Sequence, residues 1–178
     1  TGRSEGEVAK SSDLLYRNDK YGFTLRFPSW WRNYCVVSKK KLDPDSEYEL
    51  HFRFKYKGNV YDDIFTILVF RMTQEDWLRL GYGDSPLSLI AARDGRVFAY
   101  LTPEELPHEF INRKTGDYDY RKYGTPIGLL KRMVNRDVPR IVQTLRFSSR
   151  AITMKSTPYR SSKVCSCRIP RRRRKPRR

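Results

Sequence analysis

Few residues in this chain have both the type and the spacing to do chemistry. Its two histidines are His51, in EYELHFRFK, and His108, between Pro107 and Glu109. An acid or base catalyst needs such a group to converge with a nucleophile and an orienting partner. His51 falls on the polar side of an alternating stretch and His108 in a proline-flanked loop, so both are expected on the solvated surface. Asp62-Asp63 and Glu104-Glu105 are adjacent along the chain. Side chains of neighbours diverge, so these pairs read as solvated edges. Asp117-Tyr118-Asp119 has the alternating oxygen donors of a calcium loop but lacks the glycine and closing glutamate of an EF-hand. Cys35 lies in NYCVV, where a small buried residue is expected, and Cys165 and Cys167 form CSC. This spacing makes no disulfide framework and supplies too few ligands for tetrahedral zinc. No phosphate-binding glycine loop, Gly-x-Ser-x-Gly elbow or His-Glu-x-x-His pair is present. The expectation is a protein that is not an enzyme, with no catalytic residues, metal ligands or cofactors.

Binding is better served. Tyr118, Tyr120 and Tyr123, with Arg121 and Lys122 between them, form a candidate partner surface, since tyrosine and arginine are favoured at contact hot spots. The alternative is a loop whose tyrosines lie back on the domain. Charge marks a second candidate. The net charge is +17, and twelve basic residues with no acid lie between Arg150 and Arg178, so the rest of the chain carries only +5. Arg171, Arg172, Arg173, Arg174, Lys175, Arg177 and Arg178 would neutralise phosphates without reading bases. The polyanions that fit are nucleic acid, anionic lipid or a wall polymer.

Elements of a single α+β domain must hold these residues. Residues 1–13 are polar and expected to be disordered, 14–149 carry the core, and 150–178 read as a disordered basic tail. No apolar run is long enough, at about 18 residues, to cross a membrane as a helix. In YGFTLRF, Gly22 allows a turn, Phe23, Leu25 and Phe27 alternate with polar residues, and Pro28 ends the strand. Trp30 and Trp31 then fold back as an indole plug with one ring partly exposed; the alternative is a ligand platform. Tyr48, Leu50, Phe52, Phe54 and Tyr56 alternate with Glu49, His51, Arg53, Lys55 and Lys57, which predicts an antiparallel sheet with one wet face. Gly58-Asn59 reads as a two-residue hairpin loop. The return strand, apolar from Ile64 to Phe70, is expected in the sheet centre.

Thr73 and Asp76 have capping-box spacing, Trp77, Leu78 and Leu80 form the inner face of a short helix, and Gly81 ends it. SPLSLIAARDG reads as a second short helix capped by Ser85, and GRVFAYLT as a strand. Residues 103–122 predict a helical turn and an exposed loop. A helix opens at Thr125-Pro126, carries Ile127, Leu130, Met133 and Val134 inward, and breaks and restarts at Asp137 and Pro139. Ile141, Val142, Leu145 and Phe147 close the domain.

The stretch YRNDKYGFTLRFPSWW resembles the entry motif of PsbP-like proteins, in which a Tyr-Gly-Phe strand runs into Pro-x-x-Trp. It is most similar to small bacterial envelope proteins, often lipoproteins. IFTILVFRMTQEDWLRL fills the place of their strand and tryptophan-bearing helix, and ARDGRVFAYLT and IVQTLRFSS echo later blocks. The resemblance covers residues 14–149. It implies an antiparallel sheet with helices packed on it and an extracytoplasmic, secreted or membrane-anchored setting. It also implies a non-catalytic role in binding an unknown protein or envelope component. It supplies no catalytic residues, and the arginine-rich tail is not part of it.

Overall fold

Alternating apolar residues make the strands, and a capped amphipathic segment makes the long helix. The computed structural model describes residues 13–148. In chain order the elements are β1 (Leu14–Asn18), β2 (Phe23–Phe27), β3 (Cys35–Ser38), β4 (Tyr48–Tyr56), β5 (Asn59–Phe70), α1 (Gln74–Arg79), β6 (Ser88–Arg93), β7 (Arg96–Leu101), α2 (Tyr120–Arg132), α3 (Val138–Gln143) and β8 (Arg146–Phe147). The chain is α+β, with two antiparallel sheets ordered β1-β2-β8 and β3-β4-β5-β7-β6. A π-helical turn, Met133–Asp137, joins α2 to α3, so the two run on as one helix of 24 residues.

The main core lies on one face of the five-stranded sheet. Leu50, Phe52 and Phe54 of β4 and Phe65, Ile67 and Val69 of β5 meet Phe23, Leu25 and Phe27 of β2 and Ile127, Leu130, Met133 and Ile141 of the helix. The rings of Phe52 and Phe65 stack at 4.5 Å. Each buried aromatic contributes about 2–3 kcal/mol, so this cluster dominates stability. The strand, proline stop and indole plug form as expected. Trp31 is 1% exposed and its Nε1 donates to Asp137 Oδ2 at 2.9 Å, while Trp30 stays half-buried. Tyr21 and Phe23, either side of Gly22 (φ +65°), both pack edge-on against Phe98.

The opposite face is not the wet one the alternation predicts. Leu68 and Phe70 of β5 and Val97 and Ala99 of β7 form a second core under Trp77 of α1. The rings of Trp77 and Tyr82 stack at 4.8 Å. Hydropathy alternation reads Glu49 and His51 as exposed because it cannot see that polar groups may bury by bonding one another. The central strand and the capping box are as predicted. Thr73 accepts from the Asp76 amide, Asp76 accepts from the Thr73 amide, and Gly81 (φ +82°) follows the helix end. Of the expected inner face only Trp77 is buried; Leu78 and Leu80 are exposed.

Four local expectations are corrected. The β4–β5 loop is Lys57-Gly58, both at positive φ as a type I′ turn requires, with Tyr56 paired to Asn59. Residues 88–93 are a strand rather than a helix. The Asp94-Gly95 turn, again at positive φ, returns them against β7, and sheet pairing overrides their helix propensity. The long helix starts at Tyr120, capped by Asp119, rather than at Thr125; a kink at Tyr123 accommodates Pro126. It does not break at Asp137, because the wide π turn makes room for Pro139.

Candidate functional site

A buried polar cluster on the second sheet face is the strongest candidate for function. β4 presents Glu49 and His51 there. Asp63 joins them because β5 is bulged: Phe52 pairs Phe65, but Arg53 pairs Asp63 rather than Ile64. The extra residue sends Ile64 into the main core beside Phe65 and turns Asp63 towards His51. His51 is 6% exposed and Glu49 3%. Nδ1 of His51 lies 2.6 Å from Asp63 Oδ2, and Nε2 lies 2.7 Å from the Lys40 carbonyl and 2.9 Å from Glu49 Oε2. Thr66 Oγ1 donates to Asp63 at 2.9 Å. Glu49 also accepts from the Leu42 and Asp43 amides and from Ser46 Oγ.

Every partner of the imidazole's nitrogens in this arrangement is a carboxylate or carbonyl, apart from the longer Thr66 contact at 3.4 Å, and such surroundings favour the protonated ring, which can donate from both nitrogens. Burial, the largest influence, pulls the His51 pKa down, but its hydrogen bonds to Asp63 and Glu49 outweigh it and the net shift is upward. For Glu49, burial pushes up, and the amides of Asp43 and Leu42 with His51 and Ser46 outweigh it, so its net shift is downward. The expectation of solvated His51 and Asp63 is thus corrected: only Asp62 of the acid pair is fully exposed. The bulge that brings Asp63 round leaves one trace in the sequence, an apolar run at Ile64-Phe65 where alternation would call for a single core residue.

The cluster floors a groove of about 890 Å³. Its walls mix apolar Leu42, Pro86, Leu101 and Leu106 with acidic Glu104 and Glu105 and basic Lys40 and Arg53. At its rim, donor atoms of Asp62, His108 and Glu109 lie within 4.8 Å of one another, all on exposed side chains. Such a trio could hold a divalent cation only in an open shell completed by water. His108 is exposed, as the sequence predicts.

A separate ionic clasp joins the sheets at Glu47. It accepts from Arg96 Nε at 2.7 Å, from Arg71 and from Tyr21 Oη. The Arg96 hydrogen bond leads in holding the Glu47 pKa down at about 2.

The tyrosine cluster is divided. Tyr118 Oη donates to the Leu106 carbonyl and Tyr123 packs on Phe110 at 5.0 Å, so these two lie back on the domain. Tyr120, Arg121 and Lys122 are exposed at the start of α2, and Asp119 is its cap rather than a calcium ligand. Cys35 is half-buried, and burial pushes its thiol up to about 12, so it is unreactive at neutral pH. The expected disordered segments, the CSC pair and the tail cations Arg171 to Lys175, Arg177 and Arg178 lie outside the described residues. Comparison with protein-family models, curated proteins and solved structures finds no match to this chain.

Proposed function

We propose that the chain is a non-catalytic, extracytoplasmic binding domain with a PsbP-like fold, whose ligand is a protein or envelope component. The observation that carries the non-catalytic reading is the saturation of His51. Among the described residues, the one buried imidazole beside the groove has both nitrogens engaged by oxygens of its own chain, which leaves neither turned to a substrate. Thr66, the nearest hydroxyl, donates to Asp63 and is not activated by a free base. Among the described residues every fully buried side-chain nitrogen and oxygen has a partner, as expected for a structural network. The resemblance of YRNDKYGFTLRFPSWW supports the compartment and the finer fold assignment, and the groove is the surface we favour for the ligand. Polyanion binding through Arg171 to Arg178 is the alternative, supported by the charge of that run.

The test is a turnover panel of ester, phosphoester, glycoside and peptide substrates, run on the parent protein and on His51→Gln. Both are expected to give rates equal to the blank. Turnover by the parent that is lost in His51→Gln overturns the reading.

A further inference from the structure

The outward face of the long helix carries charge of one sign. Arg121, Lys122, Lys131, Arg132, Arg136 and Arg140 are all exposed. Of the nearby acids, Asp119 caps the helix, Asp137 is 5% exposed and bonded to Trp31, and exposed Asp13 lines the same cleft as Arg140 without an ion pair to it. Among the described residues, none of the six cations is paired with a carboxylate. Arg132, Arg136 and Arg140 recur every four residues before, within and after the π turn, and all three face solvent. Aromatic rings brace the cations. Arg132 lies 4.7 Å from the Trp30 ring centroid, Lys131 5.1 Å from Tyr120 and Lys122 5.1 Å from Tyr123. A guanidinium stacked on an indole keeps its in-plane N–H donors available to a phosphate.

We propose that this face binds a single strand of nucleic acid. The phosphodiester backbone follows Arg132, Arg136 and Arg140, and a base meets the ring of Tyr120, 56% exposed. Charge complementarity selects a polyanion. A narrow stripe with rings beside it suits a linear strand with unpaired bases better than a bilayer. The outer face of the helix carries no large exposed apolar side chain except Tyr120 to enter a membrane. The surface lies on the opposite side of the five-stranded sheet from His51. It is also distinct from the tail, so it goes beyond the function proposed above and does not rest on it.

The experiment titrates the full-length chain into a fluorescently labelled oligo(dT) across a range of salt. The twelve basic residues between Arg150 and Arg178 are changed to glutamine so that the tail does not mask the helix. That protein is expected to bind with strong salt dependence. Adding Arg132→Gln, Arg136→Gln and Arg140→Gln should weaken binding at least about tenfold and flatten the slope of log K against log salt by about 2, since each strand phosphate contact contributes about 0.7. The triple Arg→Lys variant should keep the slope. All three side chains are exposed, so thermal midpoints should fall only slightly, through loss of the Arg132 contact with Trp30. Three results would each overturn the proposal: no oligonucleotide binding by the tail variant, an unchanged slope in the glutamine triple, or binding to phosphatidylglycerol vesicles in place of the strand.

Discussion

His51, 6% exposed, is bonded to two carboxylates, and this makes stability depend on pH from both sides. Its folded pKa is raised, so its contribution is complete below the ordinary value of about 6.5 and is lost as pH rises through the folded value. The Glu49 pKa is lowered, so its contribution is present above the ordinary carboxylate value and is lost as pH falls through the folded one. Urea denaturation from pH 4 to 10 should show a plateau that falls away at both ends. In His51→Gln the alkaline fall should vanish, and the plateau should drop by about 3 kcal/mol because Glu49 loses its counter-ion in a buried site. An alkaline fall that persists in His51→Gln would assign it to another group. At this scale the sequence was readable for the right reason in one case and misleading in the other. Two adjacent indoles cannot both face a core, and Trp31 is buried while Trp30 is not. His51 was assigned to the right side of its strand, but whether that side is wet depends on the residue opposite, and a bulge decides that.

Among the elements, α1 shows what a short helix needs. Six residues do not sustain a helix alone. Its capping box, the stacking of Trp77 on Tyr82 and the edge-on contact of Trp77 with Phe70 hold it. Thr73→Ala should cost about 1 kcal/mol, and Trp77→Ala about 3–5 kcal/mol with exposure of the second core. Both are measured by denaturant midpoints. The capping box could be read directly because it is a local pattern. The β6 strand could not, since SLIAAR has helix-compatible residues and becomes a strand only by pairing with β7. The long helix depends on a similar compromise. Pro139 has no N–H and in a regular α-turn would collide with the carbonyl four residues back. The π turn before it, closed by Val138 N–H to the Met133 carbonyl, avoids that collision. Deleting exposed Asn135 should therefore destabilise the protein, and the same deletion with Pro139→Ala should recover much of the loss, as read by thermal midpoint. Equal midpoints for the two variants would show that the wide turn has another origin.

On the scale of the whole molecule, the five-stranded sheet is covered on both faces by different means. One face carries an aliphatic and aromatic core beneath a basic helix. The other carries a smaller core beside a charged pocket. The fold class was legible because period-two and helical patterns are strong over residues 23–27, 48–56 and 127–134. The second layer was not, because its cover comes from a six-residue helix and from polar groups that neutralise one another. The main consequence of this layering is sidedness. A chain laid against an anionic strand through its arginine stripe turns the groove above His51 outward, away from the strand. The two occupants need not compete, and the domain has the geometry of an adaptor, gripping with its back and offering its front.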